Sequence, residues 1–312
     1  MKPSLSIVIP VYNSQASLQT LVGRLEPVLR ARGGEFELIL INDGSRDDSW
    51  RIVRDLANKH DWITGIDMLR NYGQHNAILA GIRAARHEWI VTMDDDLQHP
   101  PEEIAKLLVE LERGVDVVYG TPQKEAHGFL RDIASQVTKL ALQKAMGAET
   151  ARKVSAFRAF RTHLRDGFAG FQGQFVSIDV LLTWSTTRFS AVQVQHDRRA
   201  VGESNYTYRK LLTHALNMIT GFSVLPLQVA SIMGFGLTLF GLVVAAYVIY
   251  ARIAHGTVVQ GYTSLAALIA LFSGAQLFAL GILGEYLARI HFRMMDRPAY
   301  AVRERAGVAR EN

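Results

Sequence analysis

The chain has 312 residues, a formal net charge of +5 and no cysteine. The absence of cysteine excludes disulfides, thiolate catalysis and Cys-ligated zinc or iron–sulfur centres. The length allows one large domain or two units, and the composition is uneven: residues 1–210 are charged and patterned like a soluble domain, whereas most of the remaining chain is apolar.

The N-terminal Met1-Lys2-Pro3-Ser4 precedes too short an apolar run for a signal peptide. Leu5 to Val11 reads as a buried strand rich in β-branched residues, and Asn13 or Ser14 is placed to cap a helix running to about Arg30. Gly33-Gly34 is a turn before a second strand, Phe36 to Ile41. That strand ends in Asn42-Asp43-Gly44-Ser45, a loop that bends at Gly44, and a helix follows to about Lys59. Ile63 to Leu69 is a third strand, ending in Arg70-Asn71-Tyr72-Gly73-Gln74-His75-Asn76, and a helix spans Ala77 to Arg86. Trp89 to Met93 is a fourth buried strand, and Val115 to Tyr119 a fifth. Strands alternating with helices predict an α/β fold with a mostly parallel, doubly wound sheet. The polar loops at Asn13, Asp43, Asn71 and Asp94 all fall at the carboxyl ends of strands, where an open sheet binds ligands.

The fourth strand runs into Asp94-Asp95-Asp96-Leu97-Gln98-His99-Pro100-Pro101, and a helix from Glu102 to Arg113 follows. Proline and acid suit a helix start. A solvated acidic turn would look the same in isolation. At the end of a strand, such carboxylates can instead hold Mg²⁺ or Mn²⁺, which prefer hard oxygen ligands and take one or two carboxylates plus substrate phosphates. Dinucleotide binding is not indicated, because the first turn has no glycine; Gly234-Phe235-Gly236 lies in an apolar segment where small residues pack helices. No Walker-A lysine loop is present.

Leu211 to Ala251 and Thr257 to Gly284 contain no Lys, Arg, Asp or Glu. Such lengths exceed the roughly 20 residues that cross a bilayer core, so spans are predicted near 229–251 and 263–287. The tail carries Arg289, Arg293, Arg297, Arg303, Arg305 and Arg310, against Arg252 and His255 between the spans. Positive segments stay cytoplasmic, which puts the N-terminal domain on the cytoplasmic face as well. The expected organisation is a catalytic domain over 1–205, an interfacial amphipathic helix over 206–226 carrying Leu211, Leu212, Leu216, Ile219 and Phe222, a transmembrane hairpin over 227–288, and a basic cytoplasmic tail over 289–312.

Val8-Ile9-Pro10-Val11-Tyr12-Asn13, Asn42-Asp43-Gly44-Ser45, Asn71-Tyr72-Gly73-Gln74 and Asp94-Asp95-Asp96-Leu97-Gln98-His99-Pro100-Pro101-Glu102 together resemble the successive signatures of family 2 glycosyltransferases with the GT-A fold. With the two-helix tail, the chain resembles more narrowly the polyprenyl-phosphate glycosyltransferases: dolichol-phosphate mannose synthase, bactoprenol glucosyltransferases and undecaprenyl-phosphate formamido-arabinose transferase. The resemblance covers nearly the whole chain. It implies Asp94 and Asp96 as metal ligands with Gln98 in support, and Pro10, Tyr12, Asn13 and Asp43, beside Asn71 and Gln74, as the donor pocket. Arg199, Gly202, Ser204 and Tyr206 match a late segment that closes near the diphosphate; Asn205 stands where relatives often have lysine. Residues 122–165 hold nine Lys or Arg against three acids. Arg131, Ser155, Arg158 and Arg161 are candidates for gripping the lipid phosphate, with Arg131 and Arg158 matching family positions; arginine's planar fork suits phosphate. His75, His99, His196, Tyr72 and Trp89 read as structural.

The implied activity is metal-dependent, inverting transfer from a nucleotide-sugar, UDP-linked by analogy with bacterial relatives, to polyprenyl phosphate. It would take place at the cytoplasmic face of a bacterial inner membrane, with Asp96 a candidate base. Membrane lipid and a homo-oligomer, a tetramer by resemblance, are the implied partners, and no nucleic acid is expected. A hydroxyl-acceptor transferase and a non-catalytic membrane scaffold are the alternatives. A processive synthase is disfavoured by the absence of Q-x-x-R-W and of further spans.

Overall fold

The structure is a computed structural model that describes residues 2–122, 154–173, 176–197, 225–255, 261–295 and 297–307. Arg131, Arg199, Gly202, Ser204, Tyr206 and residues 206–224 of the expected interfacial helix lie outside the described residues, and its last two, Leu225 and Pro226, open a longer helix instead. The chain divides into two units, residues 1–215 with 296–312, and residues 216–295.

The first unit is built on one sheet. Among the described residues its strands are β1 (Leu5–Val11), β2 (Phe36–Asn42), β3 (Ile63–Met68), β4 (Trp89–Thr92), β5 (Val117–Pro122), β6 (Arg158–Arg161), β7 (Phe189–Val194) and β8 (Val302–Ala306), in the order β7-β5-β6-β4-β1-β2-β3-β8. The pairings β4–β1, β1–β2 and β2–β3 are parallel, as the alternation of elements predicts, and β5 pairs parallel with β7, a strand with no predicted counterpart. Helices α1 (Leu18–Arg32), α2 (Ser49–Lys59), α3 (Gln74–Ala84), α4 (Ile104–Glu112) and α5 (Ile178–Ser185) accompany it. All seven residues of β1 are buried, as befits a strand covered on both faces. Buried and exposed positions do not alternate along it: Ile7, Val8, Ile9 and Val11 are all inaccessible to solvent.

Several expectations are corrected. Helix α1 starts at Leu18, beyond both Asn13 and Ser14, with no side-chain cap. Asn13 is committed elsewhere: its Oδ1 accepts from the Arg46 amide. Helix α3 starts at Gln74 rather than Ala77, and Pro101–Glu103 forms a 3₁₀ turn ahead of α4. Strand β5 starts at Val117 rather than Val115 and extends to Pro122. Strand β6, antiparallel to both β4 and β5, has no counterpart among the predicted elements. The basic tail is not a free tail either, since Val302–Ala306 pairs antiparallel with β3 as an edge strand.

The second unit consists of two helices, α6 (Leu225–His255) and α7 (Tyr262–Met294). Within them, Leu227–Ala251 has mean hydropathy 2.3 and Leu271–Ala288 has 1.3, each long and apolar enough to cross a membrane. At ~1.5 Å per residue, either helix exceeds a bilayer core of about 30 Å. A small residue brings them close: a Cβ on Gly241 would sit 3.3 Å from the Phe272 ring.

Candidate active site at the carboxyl ends of the strands

Strands β4, β1, β2 and β3 are adjacent, and the loops that leave their carboxyl ends are stitched to one another. The Tyr12 amide donates to Asp95 Oδ2 at 3.4 Å, joining the β1 and β4 loops. The Asn13 amide donates to Ser45 Oγ at 3.0 Å, and the Arg46 amide to Asn13 Oδ1 at 2.8 Å, joining β1 to β2. Tyr72 and Gly73 amides donate to the two oxygens of Asp43 at 2.7 and 2.9 Å, joining β2 to β3. Gln74 Nε2 donates to Asp94 Oδ1 at 2.7 Å, joining β3 back to β4. The four loops are therefore joined by a closed ring of contacts at the carboxyl edge of the sheet. Gly44 makes the β2–β3 junction possible. Its φ is +63°, and a Cβ there would lie 2.5 Å from the Asn71 amide nitrogen.

Pro10 is buried near the end of β1, while Tyr12, Asn13, Asn71 and Gln74 are exposed at the crevice. Asp43 is 2% exposed with both oxygens taken by backbone amides. It holds the Asn71-to-Gln74 turn rather than presenting a carboxylate to solvent. Burial pushes its carboxyl above the ordinary range, against the Tyr72 and Gly73 amides that hold it down. Ser155 is half-buried and its hydroxyl accepts from the Phe157 amide.

Asp94, Asp95 and Asp96 are half-buried. Asn13 and Leu97 have positive φ, 54° and 61°, so two non-glycine residues with uncommon backbone conformations flank the crevice. The Leu97 turn brings the Gln98 amide onto Asp96 Oδ1 at 3.1 Å. Burial raises the Asp95 carboxyl to about 6, opposed by bonds from Ser14 and the Tyr12 amide. Asp95 thus serves the β1 loop. His99 is stacked on Phe157 at 5.1 Å and meets His196 edge-on at 4.9 Å; burial lowers it to about 4. It is a packing residue, in line with its sequence context.

Among the described residues no three His, Cys, Asp or Glu side chains converge into an all-protein metal cage. The donor set fits an ion of another kind. Two carboxylates and an amide side chain at an open crevice suit Mg²⁺ or Mn²⁺, which complete their shells with substrate phosphates and water. Asp94, Asp96 and Gln98 are the residues that would hold it.

The expectation for Arg158 is corrected. It lies on β6, 2% exposed, with its guanidinium Nη1 bonded to Asp179 Oδ1 in the interior. Tyr119 donates to the same oxygen at 3.0 Å. Burial and the Asp179 charge push the Tyr119 hydroxyl well upward, so it stays neutral. Arg158 organises a buried triad rather than gripping a phosphate. Arg161 is likewise committed, to Asp116 at 3.5 Å and the Leu111 carbonyl. Sequence reasoning misses Asp179; the available signal is an acid one residue into an apolar helix, Ile178-Asp179-Val180-Leu181-Leu182.

A family model described as glycosyl transferase family 2 matches residues 6–168, the segment that carries all four loops. The chain belongs to glycosyl transferase family 2. Full-length relatives agree with this. The chain is 35% identical over 302 residues to an undecaprenyl-phosphate 4-deoxy-4-formamido-L-arabinose transferase of Shewanella sediminis, covering 96% of this chain and 91% of that protein. It is 34% identical over 310 residues to the protein of the same name in Proteus mirabilis, covering 98% and 95%. Among solved structures, glucosyl-3-phosphoglycerate synthase of Mycobacterium tuberculosis, in complex with Mn²⁺, uridine diphosphate and glucosyl-3-phosphoglycerate, matches with TM-score 0.51. That match covers 70% of this chain and 78% of the other at 17% identity. It shows the GT-A fold, on which this family 2 glycosyltransferase is built.

Proposed function

We propose that this glycosyltransferase moves a sugar, with inversion, from a nucleotide-sugar to polyprenyl phosphate at the cytoplasmic face of a bacterial inner membrane. The ring of four loops carries the reading: it joins the loops that bear Tyr12, Asn13, Asp43, Asn71, Gln74 and Asp94 along one edge of the sheet, and Asp96 lies two residues beyond Asp94. The relatives' names supply undecaprenyl phosphate as the acceptor, and a fold neighbour holding Mn²⁺ and uridine diphosphate supports a UDP-linked donor.

In this reading Asp43 keeps the Asn71-to-Gln74 turn in shape, and Tyr12, Asn13 and Asn71 face the base and ribose. Gln74 orients Asp94, and the Gln98 amide orients Asp96, so that both carboxylates serve the diphosphate. Held by Asp94, Asp96 and Gln98, Mg²⁺ or Mn²⁺ would neutralise the charge growing on the departing diphosphate. The attacking group is a phosphate monoester whose second pKa is near 6, so it is mostly dianionic at neutral pH and needs little help from a base; Asp96 is the nearest candidate. Arg131 and the late segment with Arg199, Gly202, Ser204 and Tyr206 are proposed to bring the two anions together. Two spans return the chain to its starting side. The sheet that joins β1–β5 to β8 supports this, because strands from before and after the hairpin must meet to form it.

Purified protein in detergent is given undecaprenyl phosphate, Mn²⁺ or Mg²⁺ and a panel of nucleotide-sugars that includes the uridine diphosphate ester of 4-deoxy-4-formamido-L-arabinose, and nucleoside diphosphate release is followed. Release that needs both lipid phosphate and metal, with one donor, is expected. Release without lipid would move the reading to a hydroxyl acceptor or hydrolysis. No release from any donor would favour a non-catalytic scaffold.

A further inference from the structure

The strand that follows the membrane hairpin lies against the strand that ends in the donor loop. Strand β8 pairs with β3 in the register Gly65↔Ala306, Ile66↔Arg305, Asp67↔Glu304 and Met68↔Val302, with an irregularity that leaves Arg303 out of the pairing. A bulge of this kind re-aims a side chain. Here Arg303 turns onto the end of β3. Its Nη1 donates to Asp67 Oδ2 at 3.1 Å and its Nη2 to the Leu69 carbonyl at 3.0 Å. The planar fork thus spans two acceptors that lysine's single ammonium would not match together.

The Asp67 carboxylate is 1% exposed, and its other oxygen accepts from Asn42 Nδ2 at 2.6 Å. Asn42 closes β2 and is followed by Asp43, the residue that holds the Tyr72 and Gly73 amides. Leu69 leads directly into that same turn. Arg303 therefore reaches the donor turn by two routes: directly at Leu69, which leads into it, and through Asp67 and Asn42 to the adjacent Asp43 that holds the Tyr72 and Gly73 amides. The Leu69 amide also donates to the Ala301 carbonyl at 3.0 Å. Trp50 Nε1 anchors the next residue, Glu304, at 2.6 Å. At the strand's end Gly307 has φ +76°, and a Cβ there would lie 2.3 Å from the Ile63 carbonyl. A buried carboxylate needs a paired cation, and among the described residues Arg303 is the one ion-paired with Asp67.

We propose that β8 is a clasp on the donor pocket and that Arg303 is its positioning residue, acting on nucleotide binding through Asp67, Asn42 and the Asn71-to-Gly73 turn without touching substrate. The inference rests on the donor reading above. It separates the roles of the site: the clasp governs donor affinity, while the acidic residues after β4 govern turnover.

The test uses the full-length protein in detergent and four variants: Arg303→Ala, Arg303→Lys, Asp67→Asn, and Arg305→Ala as a control on the exposed part of the strand. Uridine diphosphate binding is measured with Mn²⁺, kcat and both KM values with the donor and polyprenyl phosphate, and amide hydrogen exchange over 70–76. Arg303→Ala is expected to weaken uridine diphosphate binding and raise donor KM at least fivefold, to leave kcat and acceptor KM within twofold, and to speed exchange in that turn. Arg303→Lys should recover part of the loss, Asp67→Asn should mimic Arg303→Ala, and Arg305→Ala should match wild type. Unchanged binding and exchange in folded Arg303→Ala would overturn the clasp, as would equal losses in kcat and both KM values. If Arg303→Ala fails to fold, the milder Arg303→Lys and Asp67→Asn carry the same comparison. Wild type that binds no uridine diphosphate would overturn the donor reading and the clasp with it; wild type that binds normally isolates any failure to the clasp.

Discussion

Replacing Asp43 by Asn tests the donor pocket with a minimal change in shape. Each Asp43 oxygen accepts one backbone amide, from Tyr72 at 2.7 Å and Gly73 at 2.9 Å. Asparagine keeps one acceptor and turns an NH₂ toward the other amide, so one charge-assisted bond is lost and a donor is left facing a donor. A hydrogen bond to a charged group contributes about 1.5–3 kcal/mol. Part of this is offset, because the carboxylate is buried at a cost that its raised pKa reports. A net loss of about 2 kcal/mol in the stability of the turn results, which corresponds to up to about 30-fold in nucleotide affinity at ~1.4 kcal/mol per decade. Calorimetric titration of uridine diphosphate with Mn²⁺ reads it, with thermal unfolding as the folding control. A folded Asp43→Asn protein with wild-type affinity would refute the claim that Asp43 acts by holding the turn.

Asp94→Asn is expected to reduce transfer by roughly 100-fold or more while leaving the melting temperature within about 2 °C, read by nucleoside diphosphate release; near-normal turnover would remove Asp94 from the metal site. Chelation with EDTA should abolish turnover reversibly, with activity returning on Mn²⁺ addition. Asp95 carries a sign that pH can read. Its folded pKa is raised to about 6, so the folded state binds the proton more tightly than the unfolded chain. The stability this contributes is complete below about 4 and is lost as pH rises through about 6. Relative to Asp95→Asn, metal-free wild type should therefore gain stability from about pH 7 to about pH 5, by about 1 kcal/mol once solvent screening is allowed for; a flat difference in denaturant titrations would contradict it. Asp179→Asn leaves the Arg158 charge buried without its partner and should destabilise the protein by about 3–5 kcal/mol, measured by thermal unfolding.

The parallel core was legible because β1 to β4 are short apolar runs that end in polar loops, a pattern that needs no tertiary knowledge. The loops of the crevice were legible for the same reason, since Asn13, Asp43, Asn71 and Asp94 all come after such runs. The pattern hid those strands whose stability comes from partners distant in sequence. Strand β6 reads Arg-Ala-Phe-Arg, and its polar ends look exposed; in the fold the two arginines are ion-paired with acids, Asp179 and Asp116, that no local window contains. Strand β8 reads Val-Arg-Glu-Arg-Ala, which suits an exposed edge that must not recruit other strands, but which in sequence is indistinguishable from a solvated tail. The role of Asp43 was hidden similarly. An aspartate in a loop predicts exposure, and only the neighbouring turn at Tyr72 and Gly73 makes it a buried brace.

The edge strand also sets an order of assembly. Asp67 and Arg303 are separated by 236 residues, and both apolar helices are synthesised between them. A nascent chain can form β1 to β4 early, but β8 is not available to the sheet until the hairpin has been made. Contacts of such long separation form late. The last step in building the proposed donor pocket is thereby placed after synthesis of both apolar helices, and a chain interrupted before β8 lacks the proposed clasp.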